Sequence, residues 1–155
     1  GLVGSEMCIR DRDDTKEVVR VLRNILTKLG FNYAESQILA VLLIANKPLT
    51  VYDIVKITGM SRSAVSTHIN RLQKYYLVEY MLKGKVKYFK AKTSIANLFI
   101  MWLKDFYEKR LLVALKEVKD KEKLAHVLED LEKLSNLIEK CLEDSSRMNI
   151  RKTSN

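Results

Sequence analysis

The chain has 155 residues, with 28 Lys+Arg against 19 Asp+Glu, a net charge of +9 and an apolar fraction of 47%. That length holds one domain, or a small domain with a long appendage, and the apolar fraction excludes a disordered chain. One Pro and five Gly exclude a β-sandwich or a collagen-like repeat in favour of helices, and the surplus positive charge asks for an anionic partner, either nucleic acid or a membrane surface.

Residues 1–12, GLVGSEMCIRDR, look like translated sequencing-adapter sequence and lack helical periodicity, so they are set aside as a non-native segment. From Asp13 the pattern turns helical. Val18, Val19, Leu22, Ile25, Leu26 and Leu29 recur at three and four, and Gly30 is a natural stop. Glu35 to Asn46 is a second, very apolar helix, expected to be buried on most sides, and Pro48 closes it. Thr50-Val51-Tyr52-Asp53 reads as a capping box with Asp in place of Glu, opening a short helix that Gly59 breaks. Ser61 opens the next helix, running to about Lys74 with Ala64, Val65, Ile69 and Leu72 on one face. Leu77–Leu82 and Val86–Ala91, separated by a Gly-containing turn, read as a β-hairpin.

Thr93-Ser94 begins a long helix over about Ile95–Val118, and a last helix covers about Lys121–Glu143. In the last helix Leu124, Val127, Leu131, Leu134, Ile138 and Cys141 form a heptad seam, widened by Leu128, Leu137 and Leu142. Residues 145–155 are polar and expected to be a disordered tail. The domain reading is therefore a winged unit over 13–92, a helical dimerisation region over 93–144, and that tail. The fold class is mostly α with a small β-hairpin wing.

The charge is localised. Residues 61–92 hold eight basic side chains against Glu79 alone, whereas 104–144 carry a net −2. A short capped helix, a Gly turn, a Ser-capped helix and a basic hairpin together outline a winged helix-turn-helix. The first helix braces the second. The second turns Ser61, Arg62, Ser63, Ser66, Thr67, Asn70, Arg71 and Lys74 away from its apolar stripe. Small hydrogen-bonding groups lie near its N-terminus, where base edges would be met, and cations lie toward its end, where phosphates would be met. Arg suits guanine, Asn suits adenine, and Ser or Thr suits phosphate or base. Lys83, Lys85 and Lys87 on the hairpin face an adjacent groove or backbone. Double-stranded DNA is the expected partner. A membrane-surface role would need a basic amphipathic helix with bulky apolar anchors, and 61–74 is too short and too polar.

The run Ser61-Arg62-Ser63-Ala64-Val65-Ser66-Thr67-His68-Ile69-Asn70-Arg71-Leu72, then Leu77-Val78 and Gly84-Lys85-Val86-Lys87-Tyr88, resembles the recognition helix and wing of winged-helix transcription regulators. Leu49–Ile54 resembles the preceding helix of that motif. With long helices on both sides, the layout is similar to the MarR superfamily, and within it to small GbsR-type regulators of archaea and bacteria. The match covers about residues 49–90. The resemblance implies a homodimer on a palindromic operator, repressing or activating transcription, and a family whose members often bind a small-molecule effector. One departure stands out. These proteins carry Gly just before the Leu-Val that opens the wing, and here Tyr76 stands there. If that position takes a positive φ, Tyr is a costly occupant.

The remaining chemistry-bearing residues read as structural. His68 lies beside the core stripe and is expected to pack, and His126 has no ligand-spaced neighbour, so no metal is assigned. Cys141 sits in the heptad stripe as a small hydrophobe. Phe99, Trp102, Phe106 and Tyr107 are spaced as a core or dimer interface would need, although an effector pocket would use the same pattern. No nucleophile elbow, P-loop, Rossmann glycine pattern or catalytic His/Cys pairing occurs, so neither an enzyme nor a cofactor is expected. The competing class is a winged-helix scaffold for protein–protein or chromatin-type assembly. In the dimer, two-fold symmetry would set the recognition helices about 34 Å apart, one DNA turn.

Overall fold

The computed structural model describes the backbone of residues 9–153 and the side chains of residues 14–148. Of the segment set aside, residues 1–8 lie outside the described residues, and 9–12, expected to lack helical periodicity, are the first residues of a helix. The elements run α1 (Ile9–Lys28), α2 (Tyr33–Ala45), α3 (Val51–Thr58), α4 (Arg62–Lys74), β1 (Val78–Lys83), β2 (Val86–Ala91), α5 (Ile95–Phe106), α6 (Leu112–Val118) and α7 (Ala125–Thr153). The chain parts after Ile95 into two compact units. The architecture is mostly helical with a small hairpin wing, as the sequence predicts.

In the first unit the local signals act where they are written. Thr50 Oγ1 accepts from the Asp53 amide at 3.1 Å, and Asp53 Oδ2 accepts from the Thr50 amide at 3.0 Å, closing the capping box of α3. Gly59 ends α3 at φ +74°, in the left-handed region that glycine tolerates. Ser61 Oγ accepts from the Ala64 amide at 3.2 Å and starts α4. α2 begins two residues before Glu35, because Asn32 caps it by accepting from the Glu35 amide at 2.8 Å. The core gathers Leu26 from α1, Ile38, Leu39 and Leu42 from α2, Ile54 from α3, and Val65, Ile69 and Leu72 from α4, all essentially inaccessible to water. Burying such a side chain stabilises the fold by about 1.5–3 kcal/mol.

The hairpin pairs Val78 with Ala91 through Lys83 with Val86, in antiparallel register. It is tied to the helices by a third short pairing. Leu49 and Phe89 exchange backbone hydrogen bonds of 2.8 and 2.7 Å, and both side chains are buried. An isolated hairpin would be marginal in water. This bridge and the buried Phe89 anchor the wing to Leu49, two residues before α3.

The second unit holds a smaller core of Leu103, Leu111 and Ile138, flanked by Phe106, Tyr107, Leu115, Leu131, Cys141 and Leu142. Two features differ from the sequence reading. The helix expected to run unbroken over 95–118 contains a π-helical turn, Tyr107–Leu111, in which one extra residue is accommodated. Also, α7 continues to Thr153, beyond Glu143 and through the segment expected as a disordered tail. No Gly or Pro follows residue 84 to stop it, and Arg147 pairs with Glu143 one turn back at 2.6 Å. No helix among the described residues is long and apolar enough to cross a membrane.

Candidate nucleic-acid interface

α4 buries Val65, Ile69 and Leu72 and leaves the opposite face open. Ser61, Arg62, Ser63, Thr67, Asn70, Arg71 and Lys74 are exposed and Ser66 is half-buried. On the wing Lys83, Lys85 and Lys87 are all exposed. The structure therefore leaves the sequence-predicted residues accessible on two consecutive elements of one unit. Ser61 is partly committed, since its hydroxyl caps α4 and lies 3.3 Å from the Ser63 hydroxyl.

Arg71 is not a free cation. Its Nη1 lies 3.5 Å from Oε1 of Glu35, whose side chain is only 7% exposed. The same Oε1 accepts from Asn32 Nδ2 at 2.8 Å. A buried carboxylate on α2 thus draws the exposed guanidinium of α4 toward it, so that Arg71 ties α4 to α2 as well as offering charge to a ligand. The Tyr75 hydroxyl, and next the charge of Glu35, raise the Arg71 pKa above its ordinary value. Arg71 therefore stays cationic at every working pH. Sequence periodicity cannot find this pair, because its partners are 36 positions apart and meet only through packing of α2 on α4.

The wing cations stand over aromatic rings. Lys87 Nζ lies 4.6 Å from the Tyr80 ring centroid and Lys83 Nζ lies 5.2 Å from that of Tyr88. Tyr80 in turn packs on Phe89, centroids 5.9 Å apart. Such contacts restrict long side chains that would otherwise lose rotamer freedom on binding an anion. Tyr80 and Tyr88, flanking the lysines at 83, 85 and 87, were the available signal for this arrangement.

The turn from α4 to β1 resolves the departure at residue 76. The Leu77 amide donates to the Leu72 carbonyl at 3.0 Å and the Tyr76 amide donates to the Gln73 carbonyl at 2.9 Å. This is a Schellman cap, which needs a left-handed residue at the position Tyr76 holds. Its φ is +60°. The strain anticipated from sequence is present, and the turn keeps its ordinary hydrogen bonding.

His68 is half-buried, and its Nδ1 is buried with no hydrogen-bond partner among the described residues. Among the described residues no three His, Cys, Asp or Glu side chains group as a metal site. In the second unit Phe99, Trp102 and Phe106 form a stacked ladder, with centroids 6.2 and 5.6 Å apart. Phe106 and Tyr107 pack on the small core, while Phe99 and Trp102 remain exposed.

Residues 29–80 match the MarR family. No curated protein matches the chain. Among solved structures, one titled only as a transcriptional regulator is similar at TM-score 0.54 and 16% identity, over 86% of this chain and 99% of that one. The oxidized form of MarR from E. coli is similar at TM-score 0.43 and 17% identity, over 77% of this chain and 86% of that one. MepR, a transcription regulator of the Staphylococcus aureus multidrug efflux pump MepA, gives 0.44 and 20%, over 79% and 94%. At these identities the first likeness speaks for the fold.

Proposed function

From a chain whose residues 29–80 match the MarR family, we propose a transcription regulator that binds double-stranded DNA as a homodimer. α4 with its cap, residues 61–74, enters the major groove, and the wing, 77–91, lies on the backbone or in the minor groove. The observation that carries this reading is the face of α4. It is polar, exposed and free of bulky apolar groups, and it is followed by three exposed wing lysines in a segment with one acidic residue. Arg62, Ser63, Ser66, Thr67 and Asn70 are assigned to base edges and nearby phosphates, and Ser61 to phosphate through the helix N-terminus. Arg71, Lys74, Lys83, Lys85 and Lys87 are assigned to phosphates.

The dimer is assigned to the helices of 93–144, with help from α1. Exposed apolar side chains support it: Phe99, Met101, Trp102, Leu134 and Leu137 on α5 and α7, and Val18, Val21 and Ile25 on α1. One winged helix between long helices is the ground for grouping the chain with small GbsR-type regulators, acting in the cytoplasm.

Selection of bound fragments from random double-stranded DNA, with protein lacking residues 1–12, tests the reading. A two-fold symmetric site is the expected result. Binding without sequence preference would overturn the regulator in favour of a chromatin-type protein, and no binding at low salt would favour a protein–protein scaffold.

A further inference from the structure

Two helices of the first unit end in the same way, and only one uses glycine. At the end of α1 the Phe31 amide donates to Leu26 at 3.2 Å and the Gly30 amide donates to Thr27 at 3.2 Å, with Gly30 at φ +103°. At the end of α4 the same two bonds are made around Tyr76 at φ +60°. In both caps the residue after the left-handed position carries an apolar side chain, Phe31 or Leu77, and its amide donates to the carbonyl of a buried Leu five residues back, Leu26 or Leu72. The chain has glycine for this geometry and places tyrosine in it instead. A β-carbon in the left-handed region is strained.

Packing does not explain the choice. Tyr76 is 81% exposed, and its hydroxyl has no partner among the described residues. What the side chain does reach is the binding face. Tyr76 lines one shallow groove with Asn70, Gln73 and Lys74, so it extends the exposed face of α4 past the end of the helix, at the elbow where the wing begins. A phenol beside an ammonium, in a segment with net charge +7, is a hydrogen-bond donor set for an anionic oxygen. Strain held at a solvent-facing residue in such a place points to function.

We propose that Tyr76 is a DNA contact, its hydroxyl donating to a backbone phosphate oxygen flanking the major-groove site, next to the phosphate taken by Lys74. This rests on the DNA-binding reading above. The contact is independent of sequence and neutral, so it adds affinity without adding a released counterion.

The test pairs stability with binding in the full chain. Tyr76→Gly should raise Tm by about 2–4 °C by relieving the strain, and should weaken DNA binding about tenfold on both operator and random duplex, with the slope of log affinity against log salt unchanged. Tyr76→Phe keeps the strain and the ring, so its Tm should match the wild type while it loses affinity to the same extent. Wild-type affinity in Tyr76→Phe overturns the hydroxyl contact, whatever the glycine variant does. A salt slope that falls by a unit in either variant overturns it too, because that would mark a displaced cation. If the wild-type protein binds no DNA, the DNA-binding reading itself fails, a result distinct from both.

Discussion

At the scale of single residues, charge alone is a poor guide to what a cation does. Arg71 and Lys85 both lie in the basic segment and both are exposed. Arg71 faces the buried carboxylate of Glu35, whereas Lys85 sits on the wing with no ion-pair partner among the described residues. The two should therefore separate under mutation. Lys85→Ala is expected to reduce the salt slope of DNA binding by about one unit and to leave Tm unchanged. Arg71→Ala should reduce the slope by less than half of that and lower Tm, since it strips a buried carboxylate of its cation. Titration of DNA affinity across salt, with thermal melts of the free variants, reads both effects. Among the described residues Arg62 has no acidic partner, and the cap of α4 is Ser61. Arg62→Ala should relax preference at one base pair by about 1–3 kcal/mol, measurable as the affinity ratio between operator and a single-site variant.

At the scale of elements, the local code at residues 49–77 is dense and mostly sufficient. The Thr50–Asp53 box, the Gly59 stop, the Ser61 cap and the 65/69/72 stripe are each written in adjacent residues, because capping and amphipathicity act within one or two turns. Thr50→Ala should lower stability by about 1 kcal/mol, read from denaturant midpoints. The π turn at Tyr107–Leu111 is different. No breaker marks it, and what accompanies it is a long-range bond from the Tyr107 hydroxyl to Glu139 Oε1 at 2.6 Å. That bond raises the Tyr107 pKa above its ordinary 10, through hydrogen bonding to Glu139 first. With the folded value above the unfolded one, the folded state keeps its proton where the unfolded state has lost it. The bond's contribution is thus complete below about pH 10 and fades as pH rises through the raised value. The side chain is solvent-accessible, so the effect is small. Tyr107→Phe should accordingly show a shallower fall of Tm above pH 10 than the wild type.

At the scale of the whole molecule, the basic charge is concentrated in the first unit, whereas exposed apolar side chains occur in both units. The eight cations of 61–92 belong to the first unit, whereas Phe99, Met101, Trp102 and the strongly exposed Leu137 belong to the second. A dimer built on the second unit predicts that Leu137→Glu or Trp102→Glu shifts the protein toward monomer at micromolar concentration. Each should weaken operator binding by about 100-fold through loss of bivalency, without changing α4. Sedimentation velocity gives the first result and a gel shift gives the second.

Composition and spacing by themselves determined the helical class, the winged order of elements, the caps of α3 and α4, and the cationic face on α4 and the wing. All of these rest on interactions between near neighbours in sequence or on simple counts of charge. The anomaly at Tyr76 came instead from the resemblance to winged-helix regulators, which carry Gly at that position. Only the tertiary structure decided that Glu35 engages Arg71, that Leu49 pairs with Phe89 to hold the wing, and that α5 and α6 are joined through a π turn. Each of these joins residues far apart in sequence or depends on how helices pack. Local periodicity carries no record of such contacts, since the same stripe of apolar residues is compatible with many partners and only burial chooses among them.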